Sequence, residues 1–195
     1  MGNKPMPEYV GRQVPRTRKF VLTFALALAG TLAAWAPSAM ACPGGTLPAA
    51  SLSVDQARAA VICLINKKRT RNHVKPVYQH PLLDAAAQAH TDAMTTENFF
   101  SHEGDGTPAS RAANAGYMAG ASAWGVGEDL FWGAARLSTP RATVNAWMHS
   151  APHRSVMLSK SFHQVGVGVD QGSPAGADNT NTGTYTADFG FRKGG

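Results

Sequence analysis

The chain has 195 residues, 44% of them hydrophobic, with 18 Lys and Arg against 12 Asp and Glu, a formal net charge of +6. Five of the bases (Lys4, Arg12, Arg16, Arg18 and Lys19) and one acid (Glu8) fall within the first 41 residues, leaving 13 bases, 11 acids and a net of +2 on residues 42–195. The basic balance is therefore no signal for nucleic acid, the 2 cysteines exclude a cysteine quartet for zinc, and the remaining 154 residues suit one domain with its own core.

The chain opens as an export signal reads. A basic stretch ending at Lys19 precedes an apolar run from Phe20 to Ala36, interrupted by Thr23, Gly30 and Thr31, and then Ala39-Met40-Ala41, a small-x-small cleavage frame. The run is short and ends in that frame, so we expect a leader over 1–41, cleavage after Ala41, a domain over 42–195 and no stable membrane span after cleavage. The expected location is secreted, extracellular or periplasmic. Export implies an oxidising compartment, and an even cysteine count fits one disulfide, Cys42 to Cys63. Two alternatives stand beside it: a buried Cys63 with a free Cys42, or a lipidated Cys42, which Met40 fits poorly.

In chain order, Ser53 and Gln56 form a capping box for a first helix, with Val54, Ala57, Val61, Leu64 and Ile65 at helical spacing. Its basic end (Lys67, Lys68, Arg69, Arg71) reads as a solvated helix C-terminus. A connector from Asn72 to His80 follows. Pro81 opens a second helix, with Leu83, Ala87, His90 and Met94 on one stripe, ending near Asn98. Thr107-Pro108 starts a short helix through Ala115, stopped by Gly116. The Gly- and aromatic-rich stretch from Tyr117 to Trp132 reads as loop, with a short extended piece around Glu128. Ser138-Thr139-Pro140 opens another helix carrying Val144, Trp147 and Met148, and Pro152 ends it or begins a turn through Leu158. Val165, Val167 and Val169 alternate with glycines, and Tyr185, Ala187 and Phe189 alternate likewise, which predicts an antiparallel hairpin around a polar loop from Gln171 to Gly183. Helices first and strands last indicate an α+β domain.

Three polar residues stand in distinctive frames: His102 in Phe100-Ser101-His102, Glu128 in Gly125-Val126-Gly127-Glu128-Asp129-Leu130, and His153 in Trp147-Met148-His149-Ser150-Ala151-Pro152-His153-Arg154. Two imidazoles and a carboxylate can hold a divalent cation such as zinc with a position left open, and such a site can activate water. Without metal, Glu128 could act as a general base beside a histidine. No dense His-Glu-x-x-His pattern is present. Ser101 and Ser150 lie near histidines, but no Gly-x-Ser-x-Gly elbow occurs. Each residue also has a bland reading. Glu128 could accept backbone hydrogen bonds and hold its loop, His102 could cap the loop after Phe100, and His153 could pair with a helix end. His90, on the core-facing stripe, reads as a satisfied core histidine. His73, His80, His149 and His163 carry no motif, and Trp124, Trp132 and Trp147 read as core or cleft wall.

Taken in order, Leu64-Ile65-Asn66-x-x-Arg69, Phe100-Ser101-His102, Gly127-Glu128-Asp129-Leu130, Trp147-x-x-Ser150-x-x-His153-Arg154 and Val165-Gly166-Val167-Gly168-Val169 resemble the bacterial, SCP-like branch of the CAP superfamily (cysteine-rich secretory, antigen 5 and pathogenesis-related 1 proteins) over Cys42 to Phe191. The resemblance implies an α-β-α sandwich with a three-stranded antiparallel sheet between helical layers. It also implies a cleft lined by two histidines and acidic residues, which in some members binds zinc. Carried over by motif, His102, Glu128 and His153 are the expected metal and catalytic residues. Larger members have Trp-x-x-Glu where this chain has Trp147-x-x-Ser150. The usual bacterial Gly-Glu-Asn is Gly127-Glu128-Asp129 here, and Pro-Gly-His-Arg is Ala151-Pro152-His153-Arg154. Three readings follow: a secreted domain whose cleft binds a divalent metal, a lipid or a cell-envelope ligand; a metal-assisted hydrolase or peptidase using the same residues; and a structural envelope protein.

Overall fold

The computed structural model describes residues 41–176 and 181–194. The export signal proposed over 1–41 lies, but for Ala41, outside the described residues. Among the described residues no helix is long and apolar enough to cross a membrane. The described residues form five α-helices: α1 (Val54–Arg71), α2 (Pro81–Thr96), α3 (Pro108–Asn114), α4 (Pro140–His149) and α5 (Ala151–Met157). Four strands join them: β1 (Tyr78–Gln79), β2 (Ala123–Ala134), β3 (Gln164–Asp170) and β4 (Thr182–Lys193).

The helix starts follow their capping chemistry. Ser53 accepts from the Gln56 N–H while the Gln56 side chain accepts from the Ser53 N–H, so two orphan donors of α1 are satisfied. Thr107 and Thr139 each accept from the backbone N–H three residues on, with proline at the first helical position of α3 and α4. Gly116, at φ 84°, lets the chain turn away after α3, a conformation most side chains disfavour.

The sheet order is β1-β3-β4-β2. The hairpin β3–β4 is antiparallel, as the alternation predicts. The sheet differs from the expected three-stranded one in its fourth strand: β1, two residues of the connector after α1, pairs parallel with Gln164 and Val165. Val77 just before it is held by Asn66, whose side-chain amide donates to the Val77 carbonyl and whose carbonyl accepts the Val77 N–H, at 3.0 and 2.8 Å. Of the stretch from Tyr117 to Trp132 expected to be mostly loop, residues 117–122 are turn and loop, but the part from Ala123 on belongs to the 12-residue strand β2, paired with β4 along its whole length from Ala123↔Lys193 to Ala134↔Thr182. Its glycines lower local strand propensity, and tertiary pairing overrides that preference.

One face of the sheet packs on α1, α4 and α5, where Val165, Val167, Val169, Tyr185, Ala187 and Phe189 meet Val61, Ile65, Val144, Trp147 and Met157. The other face receives α2 and α3. The result is the expected α-β-α sandwich. On the second face a Cβ at Gly166 would lie 2.0 Å from the Leu83 carbonyl carbon, so only glycine lets α2 sit directly on β3. Beyond β1, side chains of α1 and α2 cover the edge of β3. Asp84 and Gln88 accept from the Val167 and Val169 N–H groups, and Arg58 and Gln88 donate to the carbonyls of the same two residues.

The disulfide Cys42–Cys63 is present, with Cα atoms 5.7 Å apart, tying the start of the domain to α1. The basic end of α1 departs from its expected role. Arg69 is not solvated but 1% exposed, and its guanidinium donates to the carbonyls of Lys75, Met157, Ser159 and Phe162 at 2.7–3.0 Å. Burial lowers its pKa from the ordinary value, but five donors in a fixed fork allow a buried guanidinium to be satisfied by carbonyls alone. Arg71, two residues on, is exposed as expected.

Candidate functional site

Arg111 organises the polar site. It lies one turn into α3, where the Thr107 cap and Pro108 fix the helix start, and it is 6% exposed. One terminal nitrogen, Nη1, donates to the His102 carbonyl (3.1 Å), to Asp105 Oδ1 (2.8 Å) and to the Gly106 carbonyl (2.5 Å), folding the loop between α2 and α3 around the guanidinium. The other, Nη2, donates to Glu128 Oε2 at 2.5 Å. Glu128 projects from the middle of β2, and its side chain is only 1% exposed. Its second oxygen, Oε1, lies 2.7 Å from His102 Nδ1. A carboxylate beside an arginine accepts and does not donate, so Nδ1 carries the proton and Nε2 is left as the free ring nitrogen. The His102 side chain is 50% exposed.

These contacts put the sequence-level alternatives in concrete form. Glu128 is engaged by two side chains, His102 and Arg111. The loop after Phe100 is held by Arg111 on the His102 carbonyl, while the His102 ring turns to Glu128. His153 is half-buried on α5 and makes no hydrogen bond to either residue. It still feels His102. Burial first, and then the charge of His102, lower the His153 pKa, so its imidazole is biased to the neutral form. The His102 pKa is raised, first by its hydrogen bond to Glu128 and against the effect of burial.

His90 is buried, as its stripe predicts, but it belongs to the same network. Its Nδ1 lies 2.7 Å from Asp105 Oδ1, and its Nε2 lies 3.9 Å from Glu128 Oε1. Burial is the main cause of its lowered pKa. Arg111 and Asp105 are the network members that sequence reading missed, and Asp188 is buried directly opposite Glu128 on β4. Arg111 and Asp105 carry no motif, and only folding brings α3 onto β2. Asp188 had a usable signal: it is the acid within the alternation Tyr185-Thr186-Ala187-Asp188-Phe189, on the face opposite the apolar residues. Asp129 points to the other face of β2. It is fully buried with neither oxygen hydrogen-bonded, and burial, helped by the charge of Glu128, pushes its carboxyl up to about 8.

Among the described residues no three His, Cys, Asp or Glu side chains converge as a ready metal cage. What the geometry offers is a half-exposed imidazole whose orientation and tautomer are fixed from behind by a buried carboxylate, which is in turn fixed by a buried guanidinium. A histidine held this way can accept a proton or hydrogen bond, or donate a lone pair to a cation, through Nε2. Glu128 lies behind His102, with its own side chain 1% exposed.

The family model described as CAP, the cysteine-rich secretory protein family, matches residues 63–188. An uncharacterised protein of Bacillus subtilis (strain 168), YkwD, is 32% identical over 131 residues, which are 66% of this chain and 48% of the relative. The chain thus spans about half the length of that relative. Among solved structures, an outer surface protein of Borrelia burgdorferi superposes with a TM-score of 0.56 at 19% identity, covering 68% of this chain and 90% of that one. An extracellular SCP-domain protein of Bacillus anthracis str. Ames gives 0.56 at 24% identity, covering 73% and 44%. At these identities the structural likeness speaks for the fold alone.

Proposed function

This chain belongs to the bacterial branch of the CAP, or cysteine-rich secretory protein, family, and from that premise we propose that it is an exported binding domain. In this reading residues 1–41 are the leader, residues 42–195 are the working domain outside the cytoplasm, and His102 is the group that meets the ligand. The observation that carries it is the pairing of His102 with Glu128. A purely structural triad gains nothing by leaving its imidazole half in solvent, whereas a ligand-facing imidazole needs that exposure together with a fixed tautomer.

The ligand best matched to that arrangement is a divalent cation such as zinc. In this reading the chain's donors would share the cation in one way. His102 spends Nδ1–H on Glu128 and keeps Nε2 for the cation, the carboxylate–histidine arrangement common behind metal-bound imidazoles. His153, biased neutral, supplies a second lone pair. Glu128, with one oxygen on His102 and one on Arg111, stands behind the histidine as its orienting partner. Bound there, a cation with open positions would polarise a carbonyl or a water, which is the chemistry the hydrolase reading requires.

The test is a zinc titration by calorimetry of the chelator-stripped protein beside His102→Ala and His153→Ala. One-to-one binding in the wild type, weakened at least tenfold in each variant, is the expected result. No binding in the wild type, or binding indifferent to His102, overturns the cation reading and moves the search to lipid and cell-envelope ligands.

A further inference from the structure

The net charge of +2 on residues 42–195 conceals how unevenly the charge is placed. Two surface clefts, of about 300 and about 240 Å³, meet at His163. Lys75, Lys160, Arg192 and Lys193 line them together with His73 and His163, and no Asp or Glu does. The rest of residues 42–195 carries 9 bases against 11 acids, so the positive excess of the domain lies in this groove. Among the described residues the ion pairs draw their bases from Arg58, His90, His102 and Arg111, which leaves the four cations of the groove without an acidic partner.

Separate parts of the chain build the groove, and the fold fixes them. Lys75 belongs to the connector before β1, Lys160 to the segment after α5, and Arg192 and Lys193 to the end of β4. Buried Arg69 ties the first two together, donating to the carbonyls of Lys75, Ser159 and Phe162. The Tyr78 N–H donates to the His163 carbonyl at 2.9 Å, and the His163 N–H donates to the Gly190 carbonyl at 3.0 Å, which joins β4 to the same assembly. The lysine side chains are exposed, but the backbone beneath them is held in place, with the Arg69 guanidinium as a further cation behind it. Like charges gathered this way repel one another, and a polyanion relieves that cost.

The donors indicate which anion. Arg192 is the one guanidinium of the lining. Its Nη2 donates to the Ala119 carbonyl at 2.7 Å, and its central carbon lies 5.9 Å from the centre of the Tyr117 ring. Its fork is therefore engaged, and a planar carboxylate finds no free bidentate partner here. The ammonium groups and imidazoles are point donors, which suit phosphate oxygens. Two clefts in line, each with its own cations, suit a chain of anions better than a single one. The apolar lining residues are buried Val74 and half-buried Phe191, so the groove presents no exposed apolar side chain to insert into a bilayer.

We propose that this groove is a second binding site, for a linear polymer of phosphate groups. It shares no residue with the set His102, Glu128 and His153, and it does not rest on the cation reading.

The probe is a short inorganic polyphosphate chain, titrated by calorimetry into the protein with chelator present, so that no cation at His102 contributes. Binding is expected, with an affinity that falls about 10- to 100-fold between about 50 and about 200 mM salt as counterions are released. Lys75→Ala with Lys160→Ala should weaken it roughly tenfold or more and reduce the salt slope by about one per lysine. Both side chains are exposed, and the bond from Lys75 to Arg69 is made by the backbone, so this variant keeps its fold. Arg136→Ala with Arg141→Ala removes the same charge from exposed positions just beyond the far end of β2, where Ala134 pairs with Thr182, and should leave the affinity within about twofold because charges there are screened from the groove. No binding by the wild type, or equal loss in the two double variants, overturns the proposal, since the second result would reflect net charge alone. Orthophosphate binding as tightly as the chain would reduce the groove to a single-anion site, and polyglutamate binding as tightly would remove the preference for phosphate. Tighter binding of a single-stranded oligonucleotide would assign the groove to base stacking, and binding of phosphatidylglycerol vesicles without binding of the soluble chain would assign it to a membrane surface. Each of these four results refutes the assignment.

Discussion

Replacing Arg69 by Met keeps the aliphatic stem and removes a buried guanidinium that joins α1 to the segment following α5. Four carbonyls lose their donors: Lys75, Met157, Ser159 and Phe162. Charge-assisted hydrogen bonds contribute roughly 1.5–3 kcal/mol each in favourable cases. They do not add fully here, because the guanidinium was itself desolvated at some cost and carbonyls near the surface recover water. Leaving a buried acceptor unsatisfied costs about 1–3 kcal/mol, and with water recovered at some of the four carbonyls the expectation for Arg69→Met is about 3–5 kcal/mol in all. For a domain of this size it corresponds to a fall in Tm of about 10 °C. The assay is urea denaturation followed by circular dichroism, with Arg71→Met as the control. Arg71 lies in the same basic turn but is exposed, and its loss should change stability by no more than about 0.5 kcal/mol. A loss below about 1 kcal/mol for Arg69→Met, or equal losses for the two variants, would show that the basic run is a solvated helix end after all.

Three further outcomes are expected. Cys42→Ser with Cys63→Ser opens a loop closed across 21 residues and should cost about 3 kcal/mol by the chain-entropy estimate, so reductant should lower the denaturation midpoint of the wild type and leave the double variant unmoved. Asp129 is pushed up to about 8 from 3.8, so it keeps its proton when folded and loses it when unfolded over that interval, and its contribution to stability falls as pH rises from about 4 to about 8. Asp129→Asn, which restores the residue usual at this place in the family motif, should therefore gain roughly 1–3 kcal/mol at pH 7 and almost nothing at pH 4; a gain independent of pH would rule out this cause. The raised pKa of His102 means that its pairing with Glu128 stabilises the fold fully below the unfolded value of 6.5 and less as pH climbs through the folded value. Glu128→Gln should thus lower the His102 pKa in an NMR titration of the ring protons, and an unchanged pKa would refute the orienting role of Glu128.

Much of the scaffold was legible in order along the chain, because its signals are local. A capping box, two Thr-Pro starts and Pro81 place the helices to within a few residues, since caps and prolines act on the backbone beside them. Period-two valines predict β3, and two cysteines behind a stretch that reads as an export signal predict their own pairing. The ordered motifs were enough to assign the family, which the comparison over residues 63–188 then showed.

What the tertiary structure alone decided is partnership at a distance. β2 exists because β4 pairs with it along twelve residues, against the preference of its own glycines. Arg69 reads locally as a solvated helix end, and only the return of residues 157–162 to α1 supplies the carbonyls that bury it. The polar network follows the same rule. Arg111 lies 17 residues from Glu128 in sequence and Asp188 lies 60 beyond it, so no spacing rule could join them. Local sequence specifies local backbone geometry because caps, turns and periodicity act over a few residues. Charge state and burial are set by what the fold packs against a side chain, and that is fixed only when the strands have found their register.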